Sequence, residues 1–354
     1  MADLQANRIQ SIDAFRGLLI ILMFLVGSRN PWEQFRHAPW IGFHLADLVY
    51  PGFLLTIGVS LELSRSAFLQ KGGTRSEFIK KMSYRVFKLF VLGNILLSLS
   101  YSRPRLGLGT LQCISIALLI ALPFVFQERK WKQLFLFLLF TASVLLEVFV
   151  GNPRLENRVL WQEGFTLNEY VDLLVLGKVK GVEGVLSTIY LSTLVVLGTI
   201  WGEFFSEEEN FFKRSLFSST FLFFLALLLE RAGIPFSAQA SSASFIFLAA
   251  SIATAALSFF VLLVDRMKLT RMAFPFTVYG MNAIGAYVFV KISQLAFFDF
   301  IHVHESETLR DWLRESLTNY LSPVAGDLSF PVIKVLVGFF FCLLLYRRKV
   351  FLKI

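Results

Sequence analysis

LFLFLLFTASVLLEVFV, residues 134–150, contains a single charged side chain, Glu147, and no polar face. At 3.6 residues per turn such a run is apolar all round, which suits a helix set in lipid or among other apolar helices. The stretches 89–97, 114–126 and 335–346 have the same character. Of the 354 residues, 56% are hydrophobic, 17% are charged and 40 are Phe, whereas a soluble chain is about one-quarter charged. The expected fold class is all-α, a polytopic membrane helix bundle embedded in a lipid bilayer.

A span needs about 20 apolar residues, fewer where polar ends reach the interface. That length predicts ten transmembrane helices, over 12–28, 46–64, 84–101, 109–126, 133–150, 185–204, 215–231, 242–264, 274–296 and 330–347. An even number puts both termini on one side. The N-terminus, the loops 64–88, 127–132, 203–214 and 265–272 and the C-terminus hold about 21 of the 34 Lys and Arg residues, so the positive-inside rule makes both termini cytoplasmic. The net charge of +9 is then a topology signal, and no nucleic-acid partner is expected. Three longer segments, 29–45, 151–184 and 297–329, fall on the far side. In the last, Leu309, Trp312, Leu313, Leu317 and Leu321 are spaced as in an interfacial amphipathic helix.

Arg8 and Arg16 before the apolar run 18–26 mimic a signal peptide, but Val26-Gly27-Ser28 is a poor cleavage site and Asp13 argues for a retained helix. With no internal repeat, a single domain over 1–354 is expected. Cys113 and Cys342 fall near opposite ends of their spans, so no disulfide is expected.

Ionisable groups inside spans are costly and mark candidate function. Asp13 and Arg16, three apart at the start of the first helix, can pair, although an Arg there also serves as a topology marker. Asp47 opens the second helix and Glu62 lies near its other end. Asn94, Gln112 and Asn282 need partners inside a bundle, while Glu147 and Glu230, near far-side ends, suggest structural roles. All four histidines, His37, His44, His302 and His304, fall on the far side. His37 sits in a connection rich in aromatics (Trp32, Phe35, Trp40, Phe43) and is the side chain best matched to proton transfer, or else an ordinary loop histidine. His302 and His304, with Asp299 and Glu305, raise a metal site, but no third ligand is convincingly spaced and no metal is expected.

Several runs are specific. Ser11-Ile12-Asp13-Ala14-Phe15-Arg16-Gly17 resembles the Ser-x-Asp-x-Phe-Arg-Gly opening of the heparan-α-glucosaminide N-acetyltransferase family. His37-Ala38-Pro39-Trp40-Ile41-Gly42 followed by Ala46-Asp47-Leu48-Val49-Tyr50-Pro51 is similar to that family's His-Ala-x-Trp-x-Gly and Ala-Asp-Leu-Val-Phe-Pro signature. Leu111-Gln112 with Ile114, Glu183-Gly184-Val185-Leu186-Ser187-Thr188, Gly280-Met281-Asn282-Ala283-Ile284 with Tyr287, and the ending 345–353 resemble further blocks in the same order. The chain departs from the pattern at Gly27, where the family often has Asn with Asn30 only nearby, and at Cys113, Pro39, Ile41 and Ser237-Ala238.

The resemblance implies an acyl-CoA-dependent acetyltransferase, with acetyl-CoA as donor, an amino sugar or glycan as acceptor and His37 as the catalytic residue. A donor from the cytoplasm carries phosphate charge, which Arg16, Lys81, Arg85, Lys88 and Arg347 on the basic face are placed to bind. Gln112 and Asn282 would line the donor's path. Asp47 would orient His37, acting as general base or, alternatively, as acyl carrier; the direct route needs fewer assumptions. A homodimer is left open. The expected location is a bacterial inner membrane, or the lysosomal membrane in a eukaryote. The competing class is a sugar or lipid transporter using His37 and Asp47 as a proton relay, against which no inverted repeat or paired broken helices stand out. A structural protein that has lost activity is the third class, signalled by Gly27 and Ile41.

Overall fold

The computed structural model describes residues 9–27, 29–153, 160–206, 211–304 and 307–352. Arg8, Glu305 and Lys353 lie outside these residues, as does the side chain of His304. The helices in chain order are α1 (Gln10–Leu25), α2 (Leu45–Gln70), α3 (Arg75–Ser100), α4 (Thr110–Ala121, continued by a 3-10 turn to Phe126) and α5 (Arg129–Leu145, running on to Val150). The short α6 (Leu167–Leu176) precedes α7 (Val185–Ser206), α8 (Phe211–Arg231) and α9 (Ala243–Phe260, running on to Arg266). The last are α10 (Thr270–Met281), α11 (Ala283–Ser293, running on to Asp299), α12 (Leu309–Tyr320) and α13 (Pro323–Arg347). Among the described residues the only strands are β1 (His302–His304) and β2 (Glu307–Thr308), an antiparallel pair.

The protein is thus an all-α polytopic bundle, and each expected span forms as helix. Among the described residues, seven helices are long and apolar enough to cross a membrane, or eight if the bent pair α10–α11 is one span. The other two, α1 with 16 residues and the helix Thr110–Phe126, are shorter. At 1.5 Å per residue α1 rises only about 24 Å. The ninth span is corrected in shape: it was expected as one continuous helix over 274–296, and it bends by 70° between Met281 and Ala283. Asn282 leaves the helical region at the bend (φ −130°, ψ 36°). Its amide takes up the returning C-terminal segment instead, donating to the Val350 carbonyl at 3.2 Å and accepting from Leu352 N at 2.9 Å.

Burial sorts the bundle into a centre and a rim. Most of the apolar window of α2 (67%), α7 (78%) and α9 (61%) is buried, against 11% for α5 and 17% for α8 and α13. Lipid gives no hydrophobic drive for helices to associate, so close backbone approach must supply the attraction. Glycine provides it between α2 and α7: a methyl group at Gly58 would lie 2.0 Å from the Val195 carbonyl oxygen, and one at Gly198 would lie 2.2 Å from that of Leu55. The crossing of α1 and α10 is equally tight, with Gly17 facing the Phe276 carbonyl.

The connections gather at two ends. At one end, Trp40 Nε1 donates to the Trp161 carbonyl at 2.6 Å, Gly42 N to that of Phe236 at 2.7 Å, and Asn168 bonds the Ala240 carbonyl. At the other, the lysine- and arginine-rich segments meet in a buried ion network. Lys132, with no exposed side-chain surface, lies 2.6 Å from Glu203 and 3.8 Å from Glu62. Arg129 pairs with Glu203 at 3.0 Å and Arg65 with Glu62. The amphipathic helix forms as α12 and packs on the first turns of α13, tied by Arg314 to Asp327 at 2.7 Å.

Candidate functional site

His37 and Asp47 are brought together. His37 Nδ1 lies 2.7 Å from Asp47 Oδ1. The other carboxylate oxygen, Oδ2, accepts from Ala38 N at 3.1 Å and from His44 N at 2.9 Å. His44 is the N-cap of α2 and Asp47 its third residue, so the same carboxylate caps the helix and holds the histidine loop against it. Asp47 is 1% exposed while His37 is 59% exposed. An ionised carboxylate only accepts, so Nδ1 carries the proton and Nε2 of the neutral ring is left as the basic nitrogen.

The hydrogen bond to Asp47 holds the His37 imidazolium above its ordinary value of 6.5, against the opposing effect of burial. The charges of Asp47 and Glu183 add to the upward shift. Asn30, near the position where the resembled pattern carries Asn, is consumed structurally. It donates to the Leu25 carbonyl and accepts from Trp32 N, both at 3.0 Å, closing the end of α1.

Glu183 ends a 3-10 turn, Gly181–Glu183, just before α7. Asp172 on α6 fixes that turn by accepting from Lys180 N at 2.9 Å and Val185 N at 2.8 Å. Burial raises the Asp172 carboxyl above its ordinary value, and those two backbone bonds oppose the rise. Gly184 leaves room for it, since a methyl there would come within 2.4 Å of Asp172 Oδ2. The Glu183 side chain accepts from Thr110 Oγ1 at the start of α4 and lies 3.8 Å from Lys180 Nζ.

The expected donor-binding cations divide. Lys81, Arg85 and Lys88 share one face of α3 at i, i+4 and i+7 spacing. Lys81 stacks on Phe68 and Lys88 on Tyr84, while the Arg85 Nε is buried with no partner among the described residues. Arg16 bonds Asp13 at 3.1 Å, as its spacing predicts, and Ser60 at 2.6 Å. Arg347 is exposed at the end of α13. Of the two neutral candidates, Gln112 is 2% exposed and its Nε2 has no partner among the described residues. Asn282 is taken by the C-terminal segment, bonding Val350 and Leu352 rather than lining a path beside these cations. His302 Nδ1 bonds the Phe300 carbonyl at 2.9 Å, and among the described residues no three metal-ligating side chains cluster.

A sequence profile described as heparan-alpha-glucosaminide N-acetyltransferase, catalytic, matches residues 8–174. Over that stretch the chain is similar to the heparan-alpha-glucosaminide N-acetyltransferase family. The stretch contains His37, Asp47, Arg16, the three α3 cations and Gln112, and it ends before Glu183. The heparan-alpha-glucosaminide N-acetyltransferase of Mus musculus is 38% identical over 98 residues, 27% of this chain and 15% of that protein. The Homo sapiens protein of the same name is 38% identical over 96 residues, 27% of this chain and 14% of its own length. The matched stretch therefore spans a small part of these relatives.

Sequence reasoning missed the Lys132–Glu203–Glu62 network. Lys132 stood among loop cations, and only the fold turns it inward. The single available signal was that Glu62 and Glu203 both sit at the ends of apolar helices.

Proposed function

We propose that the chain is a membrane acetyltransferase that moves an acetyl group from acetyl-CoA to the amine of an amino sugar or related glycan, with His37 as general base. The observation that carries this reading is the His37–Asp47 pair, in which a buried carboxylate anchored by two backbone N–H groups fixes the tautomer of an exposed imidazole. Profile and relatives of the same named activity support it.

In this reading the acceptor's ammonium has lost one proton, which ends in water, and its nitrogen is neutral when it reacts. As its nitrogen bonds to the thioester carbonyl carbon, His37 Nε2 takes an N–H proton, and Asp47 stabilises the imidazolium. The C–S bond then breaks and His37 returns the proton to the leaving sulfur, giving an amide and a free thiol. The Arg85 Nε, buried and unpartnered among the described residues, fits an anionic phosphate, with Lys81 and Lys88 on the same helix face. The end of the bundle bearing these cations would face the cytoplasm and His37 the opposite side, following the loop charges.

The test is His37→Ala in purified protein. Thiol release from acetyl-CoA in the presence of glucosamine should fall about 10²–10⁴-fold, with the thermal shift produced by acetyl-CoA retained. Turnover unchanged in that variant would remove His37 from the site.

A further inference from the structure

We propose that Glu183, with the Tyr50 hydroxyl beside it, forms the subsite that receives the acceptor's amine; the inference rests on the acetyl-transfer reading above. The starts of α4 and α7 meet here through Thr110 and Glu183, and α2 runs alongside α7 with Gly58 against Val195 and Gly198 against Leu55. Tyr50 lies three residues beyond Asp47 on α2, one turn along the same face. Its hydroxyl is buried and has no hydrogen-bond partner among the described residues, and the Ser187 hydroxyl on the first turn of α7 is in the same condition. A buried unpaired hydroxyl costs free energy that a ligand atom would recover. Glu183 is held in place by Thr110 and by the Asp172-fixed turn, and Cys113 Sγ donates to its carbonyl at 3.5 Å. Its carboxylate is one-third exposed, and Lys180 at 3.8 Å compensates it only loosely. Asp47 and Tyr50 at the start of α2 and Ser187 at the start of α7 lie at this same end of the bundle.

The chemistry these groups recognise is a primary ammonium. It offers three N–H donors in a positive centre, and the cluster offers three acceptors: the Glu183 carboxylate, the Tyr50 oxygen and His37 Nε2. A sugar hydroxyl offers one donor and no charge, so the cluster would select an amine over an alcohol. On binding, the ammonium passes one proton to His37 Nε2, which releases it to water and is again free to act as base in the transfer step. Tyr50 is a distinctive choice, because the pattern this sequence resembles carries Phe at that position.

Kinetics with acetyl-CoA and glucosamine separate the possibilities. Glu183→Gln should raise KM for glucosamine about ten- to hundredfold, the loss of one charge-assisted bond, with kcat and the acetyl-CoA thermal shift close to wild type. Tyr50→Phe should raise the same KM about three- to tenfold. Rescue by Glu183→Asp of part of the KM loss is expected. An unchanged KM in both Glu183→Gln and Tyr50→Phe, or a loss confined to kcat, overturns the subsite while leaving His37 as base. If Glu183→Gln does not fold, Glu183→Asp and Tyr50→Phe carry the same comparison. A wild-type protein that transfers no acetyl group to any amine acceptor sinks the transferase reading, and the subsite with it.

Discussion

Asp47→Asn separates the structural duty of this carboxylate from its chemical one. The two duties fall on different oxygens: Oδ2 serves the Ala38 and His44 amides, and Oδ1 faces His37. An Asn whose oxygen takes the Oδ2 place keeps both backbone bonds, and its NH₂ then faces Nδ1. The imidazole must answer by accepting at Nδ1, which puts its proton on Nε2 and removes the basic nitrogen from the acceptor side. Stability should therefore drop by only about 1 kcal/mol, the charge assistance lost from two amide bonds. Transfer should fall about 10²–10⁴-fold, the range for a lost general base. Asp47→Ala is the contrast: it orphans two amides and the helix cap, costing about 2–4 kcal/mol. Thermal unfolding in detergent gives the first quantity and thiol release from acetyl-CoA the second. An Asp47→Asn protein that is stable and keeps activity within about threefold of wild type would refute the tautomer reasoning and with it the role assigned to His37.

The raised His37 value gives a pH dependence of definite sign. Its base form appears only above the raised value, so the acid limb of kcat/KM should have its midpoint above 6.5; a midpoint below 6.5 contradicts the Asp47 contact. In stability, the favoured form is the imidazolium. Its contribution is fully present below the unfolded value and lost as pH rises through the raised one, so His37→Gln should lower the melting temperature most at acid pH. At the other end of the bundle, Lys132→Met leaves Glu203 and Glu62 short of a buried cation and should cost about 3–5 kcal/mol. The Lys132→Met, Glu203→Gln double variant should recover part of that loss in denaturant titration, and a fully additive result would show that the two residues are not coupled.

What was legible in the sequence follows from which interactions are local. Membrane class, helix positions and the Asp13–Arg16 pair depend on composition and on spacing along one helix, and the structure has them where expected. The amphipathic α12 was visible for the same reason, because its apolar stripe is a property of twelve consecutive residues. The break at Asn282 was not, because it depends on the chain end returning from residues 350–352 to satisfy an amide 70 positions away. His37 and Asp47 could each be named from type and placement. That one carboxylate serves the histidine, a loop amide and a helix cap together is a fact of three dimensions.

Helix α2 unites these features along one axis. Asp47 and Tyr50 lie in its first turns, Ser60 holds Arg16, and Glu62 enters the Lys132 network near its far end. From Asp47 to Glu62 the rise is about 22 Å at 1.5 Å per residue, most of the thickness of a hydrocarbon core, at about 30 Å. The glycine-tight contact with α7 runs between those points, at Gly58 and Gly198, and α7 in turn begins just after Glu183 and bears Glu203 near its end. The imidazole and its proposed amine subsite are thus fixed at one end of a two-helix rod whose other end is locked by buried ion pairs. In the proposed reading, a donor held by cations at the charged end would meet an acceptor at the His37 end without the rod itself moving. Loosening that rod should therefore cost transfer even though no catalytic side chain is touched, because geometry errors of about 1 Å at reacting atoms are expensive.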